Sequence, residues 1–126
     1  MKPKRQLTKG ESQLMNILWD LPGQKGTSPE IMSKYPTPKP ALTTMLTFLK
    51  ILTDKGFVSA TKVGRGHIFK ALVSRAEYTA FYMGEVQKNF FGGSVPSLVS
   101  YFVNNNKLSQ QEIDELLEII KNKQQL

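Results

Sequence analysis

Apolar residues recur along this chain first at helical and then at strand spacing, and the switches between the two lay out the fold. Leu14, Ile17, Leu18 and Leu21 share one face of a 3.6-residue repeat, with Trp19 beside it. In front of them Thr8-Lys9-Gly10-Glu11 has the form of a capping box, and behind them Pro22-Gly23 ends the element, so a first helix is predicted over residues 9–21. After the polar link Gln24-Lys25-Gly26, Thr27-Ser28-Pro29-Glu30 offers a cap, a first-turn proline and an acid at the positive end of the helix dipole. That second helix is short and stops at Tyr35-Pro36. Thr37-Pro38-Lys39-Pro40 forbids its continuation and opens a third, which runs to Lys55 with Gly56 as a left-handed stop. Leu42, Met45, Leu49 and Leu52 form the apolar side of this third helix, while Lys39, Thr43, Thr47 and Lys50 fall along the other.

Residues 57–63 and 67–72 are runs rich in β-branched and aromatic side chains, joined by Gly64-Arg65-Gly66. Glycines around an arginine permit positive φ at a tight hairpin and set a long cation at its tip. Three helices with the middle one short fit a helix-turn-helix whose third helix is presented outward. A hairpin directly after it reads as a wing, with Arg65 placed for a minor groove; as a plain hairpin the arginine would only be solvated. Hydroxyls and ammoniums on the outer side of the third helix suit phosphates and base edges.

The rest is helical. Ser74-Arg75-Ala76-Glu77 is another capping box, leading into Tyr78, Phe81, Tyr82, Val86 and Phe90 before Gly92-Gly93. Ser94 caps a helix with Val95, Leu98, Val99 and Phe102 at i, i+3, i+4 and i+7, up to the polar run Asn104-Asn105-Asn106. Ser109-Gln110-Gln111-Glu112 opens the last, with Ile113, Leu116, Leu117 and Ile120 at the same spacing. These helices are too small a set for a core of their own, so their apolar faces need either the front of the chain or a second copy. Two-fold pairing is the commoner solution, and a homodimer is expected, with a folded-back monomer as the alternative. The expected fold is mainly α with a small β-hairpin wing: a winged helix-turn-helix domain over residues 1–73 and a helical dimerisation tail over 74–126.

Charge sharpens this picture. The 126 residues carry a formal net charge of +7. Residues 1–73 hold twelve Lys and Arg against four Asp and Glu, a balance of +8, whereas 74–126 hold five against six, a balance of −1. A polyanion partner is therefore expected for the front portion. Lys62, Arg65 and the N-terminal Lys4 and Arg5 are the candidates for backbone phosphates. No apolar run approaches the roughly 18 residues of a membrane span, and the basic N-terminus lacks the apolar stretch of a signal peptide, so a cytoplasmic protein without membrane insertion is expected.

Chemistry finds little to work with. There is no Cys and a single His, His67, which excludes the usual structural zinc sites and thiol chemistry. Glu112, Asp114, Glu115 and Glu118 read as a solvated helix face. Gly64-Arg65-Gly66 is too short for a phosphate-cradling loop and leads into no helix. No motif sets a nucleophile beside a base, so neither an enzyme, nor a metal, nor a cofactor is expected.

With these elements laid out, the chain resembles the penicillinase-repressor family. The resemblance covers residues 7–124 and rests on three blocks: residues 7–19 as the opening helix; Thr44, Met45, Thr47, Leu49 and Leu52 with Lys55-Gly56-Phe57-Val58 as the recognition-helix signature; and residues 92–99 with Leu108, Ser109, Glu112, Ile113, Glu115 and Leu116 as the dimerisation helices. It implies a dimeric winged-helix repressor of bacterial antibiotic-resistance genes, bound to a palindromic operator, with Lys39, Thr43, Thr44, Thr47 and Lys50 facing DNA. Leu46 stands where the family often has a basic or small polar residue, and Ile51 where it often has Arg. Leu46 either meets a thymine methyl or packs inward with Phe48. The apolar positions of the three back helices give the expected dimer contacts: Tyr78, Phe81, Tyr82, Val95, Leu98, Val99, Phe102, Ile113, Leu116, Leu117 and Ile120. The resemblance also implies relief of repression by a membrane sensor-protease; the bond matching the family's Asn-Phe cleavage site is Tyr101-Phe102, which keeps only the second residue. The alternative from another class is a winged-helix adaptor binding an acidic protein surface without operator specificity.

Overall fold

The computed structural model describes residues 5–105 and 108–124; Lys4 and Asn106, both singled out above, lie outside them. The elements run α1 (Lys9–Asp20), a 3-10 turn (Pro22–Gln24), β1 (Lys25–Gly26), α2 (Ser28–Ser33), α3 (Leu42–Asp54), β2 (Val58–Val63), β3 (Gly66–Ala71), α4 (Arg75–Phe90), α5 (Val95–Asn105) and α6 (Gln110–Gln124). This is the mainly helical winged-helix architecture that the hydrophobic pattern predicts. The capping box at α1 forms as the sequence implies, Thr8 and Glu11 exchanging bonds; at α2 the Thr27 cap and the Glu30 acid go further and form a capping box as well. The chain divides into two compact units, Met1–Met83 and Gly84–Leu126, so the division falls within α4.

In the first unit, the core gathers Leu14, Met15, Leu18 and Trp19 of α1, Ile31 of α2, Met45, Leu49 and Leu52 of α3, and Phe57, Val58 and Val73 from the sheet and its exit. Deleting a side chain such as Leu49, 1% exposed, would cost about 2–5 kcal/mol. Helices α1 and α3 approach so closely that a Cβ on Gly10 would stand 2.5 Å from Cζ of Phe48. Trp19 ties the end of α1 to the sheet's exit, its indole N–H donating to the Val73 carbonyl at 2.8 Å.

Three details differ from the expectation. Two-residue β1 pairs with β3 (Lys25 opposite Lys70), giving a three-stranded sheet in the order β1-β3-β2; a segment this short carries no alternation to read. Helix α3 begins at Leu42, not at Lys39, because Pro40 bars its predecessor from helical dihedrals and Ala41 is the N-cap, at φ −62 and ψ 149. Leu42 is therefore the first residue of the helix and is 55% exposed, so the buried row starts one turn later at Met45.

In the second unit, Gly92 and Gly93 adopt φ of +57 and +81, which turns the chain sharply between α4 and α5. Gln87 closes this turn, its side-chain amide donating to the Gly93 carbonyl at 2.6 Å while its own carbonyl accepts from the Gly93 N–H at 2.9 Å. None of the described residues of this unit is buried. Leu98, Ile113 and Leu116 are half-buried, and Val95, Val99, Phe102, Leu117 and Ile120 are exposed. Val99, Phe102, Leu108, Leu116 and Ile119, with Glu112 and Glu115, line a mostly apolar cleft of about 290 Å³.

Candidate nucleic-acid interface

Burial of Met45, Leu49 and Leu52 fixes which side of α3 faces outward. Thr43, Thr44, Thr47 and Lys50 are all exposed on it. The Thr47 hydroxyl donates to the Thr43 carbonyl at 2.9 Å, leaving its oxygen lone pairs and methyl for anything outside. Lys50 stands 4.0 Å from Asp54 with both side chains largely in solvent, a pair too exposed to hold the ammonium in place. No side chain caps the start of α3, so its first amides are open to water or an anion. Leu46 is 41% exposed and stands outside the buried row of Met45, Leu49 and Leu52.

Beside α3, β2 and β3 pair from Val58 opposite Ala71 to Val63 opposite Gly66. The turn between them is Gly64-Arg65, with Gly64 at φ +61, which places the exposed Arg65 at the tip. Exposed Lys62 lies opposite His67. Between helix and sheet runs a cleft of about 420 Å³ lined by Leu46, Leu49, Lys50, Thr53, Asp54, Ala60, His67 and Phe69. Thus α3 and the wing bring together Thr43, Thr44, Leu46, Thr47, Lys50, Lys62 and Arg65 on one unit.

Lys39 stands apart from them. It precedes α3, and its ammonium donates to the carbonyls of Met32 at 2.8 Å, Ser33 at 3.3 Å and Tyr35 at 2.9 Å, closing the C-terminal end of α2. Among the residues expected at a dimer contact, Tyr78 is taken up within its own unit: its ring lies 5.7 Å from that of Phe57, and its hydroxyl accepts the Leu7 N–H at 2.8 Å. Tyr82 stacks on it at 6.1 Å, and Phe81 lies 6.1 Å away on the same helix. Tyr101 and Phe102 are exposed but lie inside α5.

The feature the sequence concealed is an ion pair. Glu11, read only as a capping residue, also accepts from the Lys55 ammonium at 2.6 Å, with side chains 5% and 16% exposed. Burial pushes the Glu11 carboxyl up, but the Lys55 hydrogen bond, the Thr8 amide and the Lys55 charge outweigh it and hold the group below its ordinary value. Lys55 also donates to the Gln6 carbonyl at 3.3 Å. One carboxylate thus joins the start of α1 to the end of α3. Its partner lies 44 residues away, so no local pattern announces it.

Among the described residues, no group of three His, Cys, Asp or Glu is placed to hold a metal ion, and no helix is long and apolar enough to cross a membrane. The penicillinase-repressor family model matches residues 7–122. Over 123 residues the chain is 28% identical to the penicillinase repressor of Bacillus licheniformis, covering 96% of this chain and 94% of that protein. The family match spans nearly the whole chain, which therefore belongs to the penicillinase-repressor family of transcriptional repressors.

Proposed function

We propose that this member of the family represses as a homodimer on a two-fold symmetric DNA operator, each copy laying α3 in the major groove and Arg65 of the wing against the flanking backbone or minor groove. One observation carries the reading: an anchored helix offers Thr43, Thr44, Thr47 and Lys50 outward, beside a wing tipped with arginine, in the portion of the chain that holds the whole positive excess. Thr43 and Thr47 face base edges or phosphates, Lys50, Lys62 and Arg65 neutralise phosphates, and Arg5 follows the backbone. Residues 1–73 then serve DNA and 74–126 serve pairing. The exposed apolar positions on α5 and α6 support a second copy as their cover, since a face with this much uncovered Val, Leu, Ile and Phe is costly in water. Half-sites are expected about one helical turn, or a multiple, apart.

Relief of repression is assigned to cleavage at Tyr101-Phe102 by a membrane sensor-protease. Both side chains are exposed, and cutting between them would sever the last residues of α5 and all of α6 from the rest, which would unpair the two copies. Because the bond lies within α5, cleavage requires that the end of this helix first unwind. The experiment is a binding titration of the full chain with its own upstream DNA and with scrambled duplex, run alongside sedimentation. A dimer that prefers a symmetric site supports the reading. A monomer that binds both duplexes equally overturns it.

A further inference from the structure

The outer edge of α3 carries an apolar pair outside the core, of which Leu46 also lines the cleft between α3 and the sheet. Leu42 and Leu46 are 55% and 41% exposed and lie one helical turn apart, between the buried row and the row that contains Thr43 and Thr47. Leu42 is the first residue of the helix and Leu46 belongs to its second turn. In helix-turn-helix proteins this N-terminal half of the recognition helix meets the base edges. A leucine side chain has no donor or acceptor, so among the groups displayed in the major groove it distinguishes one alone, the C5-methyl of thymine. Thr47, whose hydroxyl proton is already spent on the Thr43 carbonyl, widens this donor-poor strip with its methyl. Charge selects the occupant. The pair is bordered by Lys50 and belongs to the portion with a balance of +8, which favours a polyanion over an apolar protein surface.

We propose that Leu42 and Leu46 are specificity-determining residues that each take a thymine methyl, so that the half-site read by α3 holds two thymines close together in the major groove. Four residues of helix advance about 6 Å, close to two base-pair steps of roughly 3.4 Å, and the two thymines are therefore expected within about two steps of one another. The inference rests on the operator reading above and adds what that operator contains.

The test begins with selection of a preferred site from random duplexes by the full chain. Each thymine of that site is then replaced singly by deoxyuridine, which removes the methyl and leaves pairing and hydrogen-bonding groups intact. Two positions per half-site are expected to lose roughly three- to five-fold in affinity, the worth of one buried methyl. Leu46→Ala should abolish the thymine preference at one of them and Leu42→Ala at the other, with circular dichroism and sedimentation unchanged. A site indifferent to every substitution, or one whose preference persists in both variants, overturns the inference while leaving the operator reading intact. An altered sedimentation coefficient in either variant overturns it in favour of a protein contact. Selection that enriches no sequence overturns the operator reading and this inference together.

Discussion

Replacing Lys55 by Met is the perturbation that bears most directly on how the recognition helix is held. The methionine keeps most of the aliphatic stem and deletes the ammonium, leaving the Glu11 carboxylate with the Thr8 amide at 3.2 Å as a remaining partner. Breaking a buried ion pair by removing one member costs about 3–5 kcal/mol. Here the Lys55 side chain keeps 16% exposure and the capping bond survives, which brings the expected loss to just below that range, about 2–3 kcal/mol at pH 7. The pH dependence has a definite sign. The folded state holds the Glu11 carboxyl below 4.5, so in mild acid the unfolded chain binds more protons at this position. The stabilisation is then present above the unfolded value and lost as pH falls through the lower folded one. Urea titrations of wild type and Lys55→Met at several pH values measure both effects. The variant's deficit should shrink as pH falls and the carboxyl protonates, and Glu11→Gln with Lys55→Met should recover part of the loss at pH 7. A deficit below about 0.5 kcal/mol at pH 7, or one that does not change with pH, refutes the claim that this pair fastens α3 to α1.

Three further outcomes are expected. Arg65→Ala should weaken operator and scrambled duplex alike and reduce the slope of log affinity against log salt by about one, whereas Thr47→Ala should narrow the gap between the two duplexes and leave the slope alone; salt titrations separate the two. Lys39→Met should lower thermal stability by about 1 kcal/mol through its lost carbonyl bonds. Its salt slope should stay at the wild-type value, and a slope reduced by a full unit would place Lys39 on a phosphate instead. Gly10→Ala should fail to give the gain of about 1 kcal/mol usual inside a helix, because the new methyl meets the Phe48 ring. In a Phe48→Ala background the same change should turn stabilising, and melting curves of the four proteins read the reversal.

What the sequence made legible, and what it hid, divide along the range of the interactions. The capping boxes at Thr8, Thr27, Ser74 and Ser109 are three-residue relations, and each forms. Both faces of α3 follow from its period, and so does the wing from its glycine-flanked turn. Leu42 breaks the pattern because periodicity assigns a face without saying where along the helix the core begins; that boundary was set by Pro40 and the Ala41 cap. Helical spacing set Lys39 in line with Thr43, Thr47 and Lys50, yet the free carbonyls at the end of α2 lie four to seven residues behind it and take its ammonium. The Glu11 bond to Lys55 and the Tyr78 bond to Leu7 span 44 and 71 residues, where no spacing rule operates.

These long-range bonds also meet at one place, which gives them a common consequence. Lys55 ends the recognition helix and holds the Gln6 carbonyl, while the neighbouring Leu7 amide is held by Tyr78 of α4. The segment just before α1 is therefore fastened on one side to the helix that would enter the groove and on the other to the helix that leaves the first unit. Arg5 adjoins this double anchorage, so the direction in which its cation leaves the unit depends on bonds that the charge pattern alone never mentions. A basic residue counts toward DNA only after the structure has shown what else competes for it. By that criterion Lys50, Lys62 and Arg65 remain available, whereas Lys39 and Lys55 have already been spent on the fold.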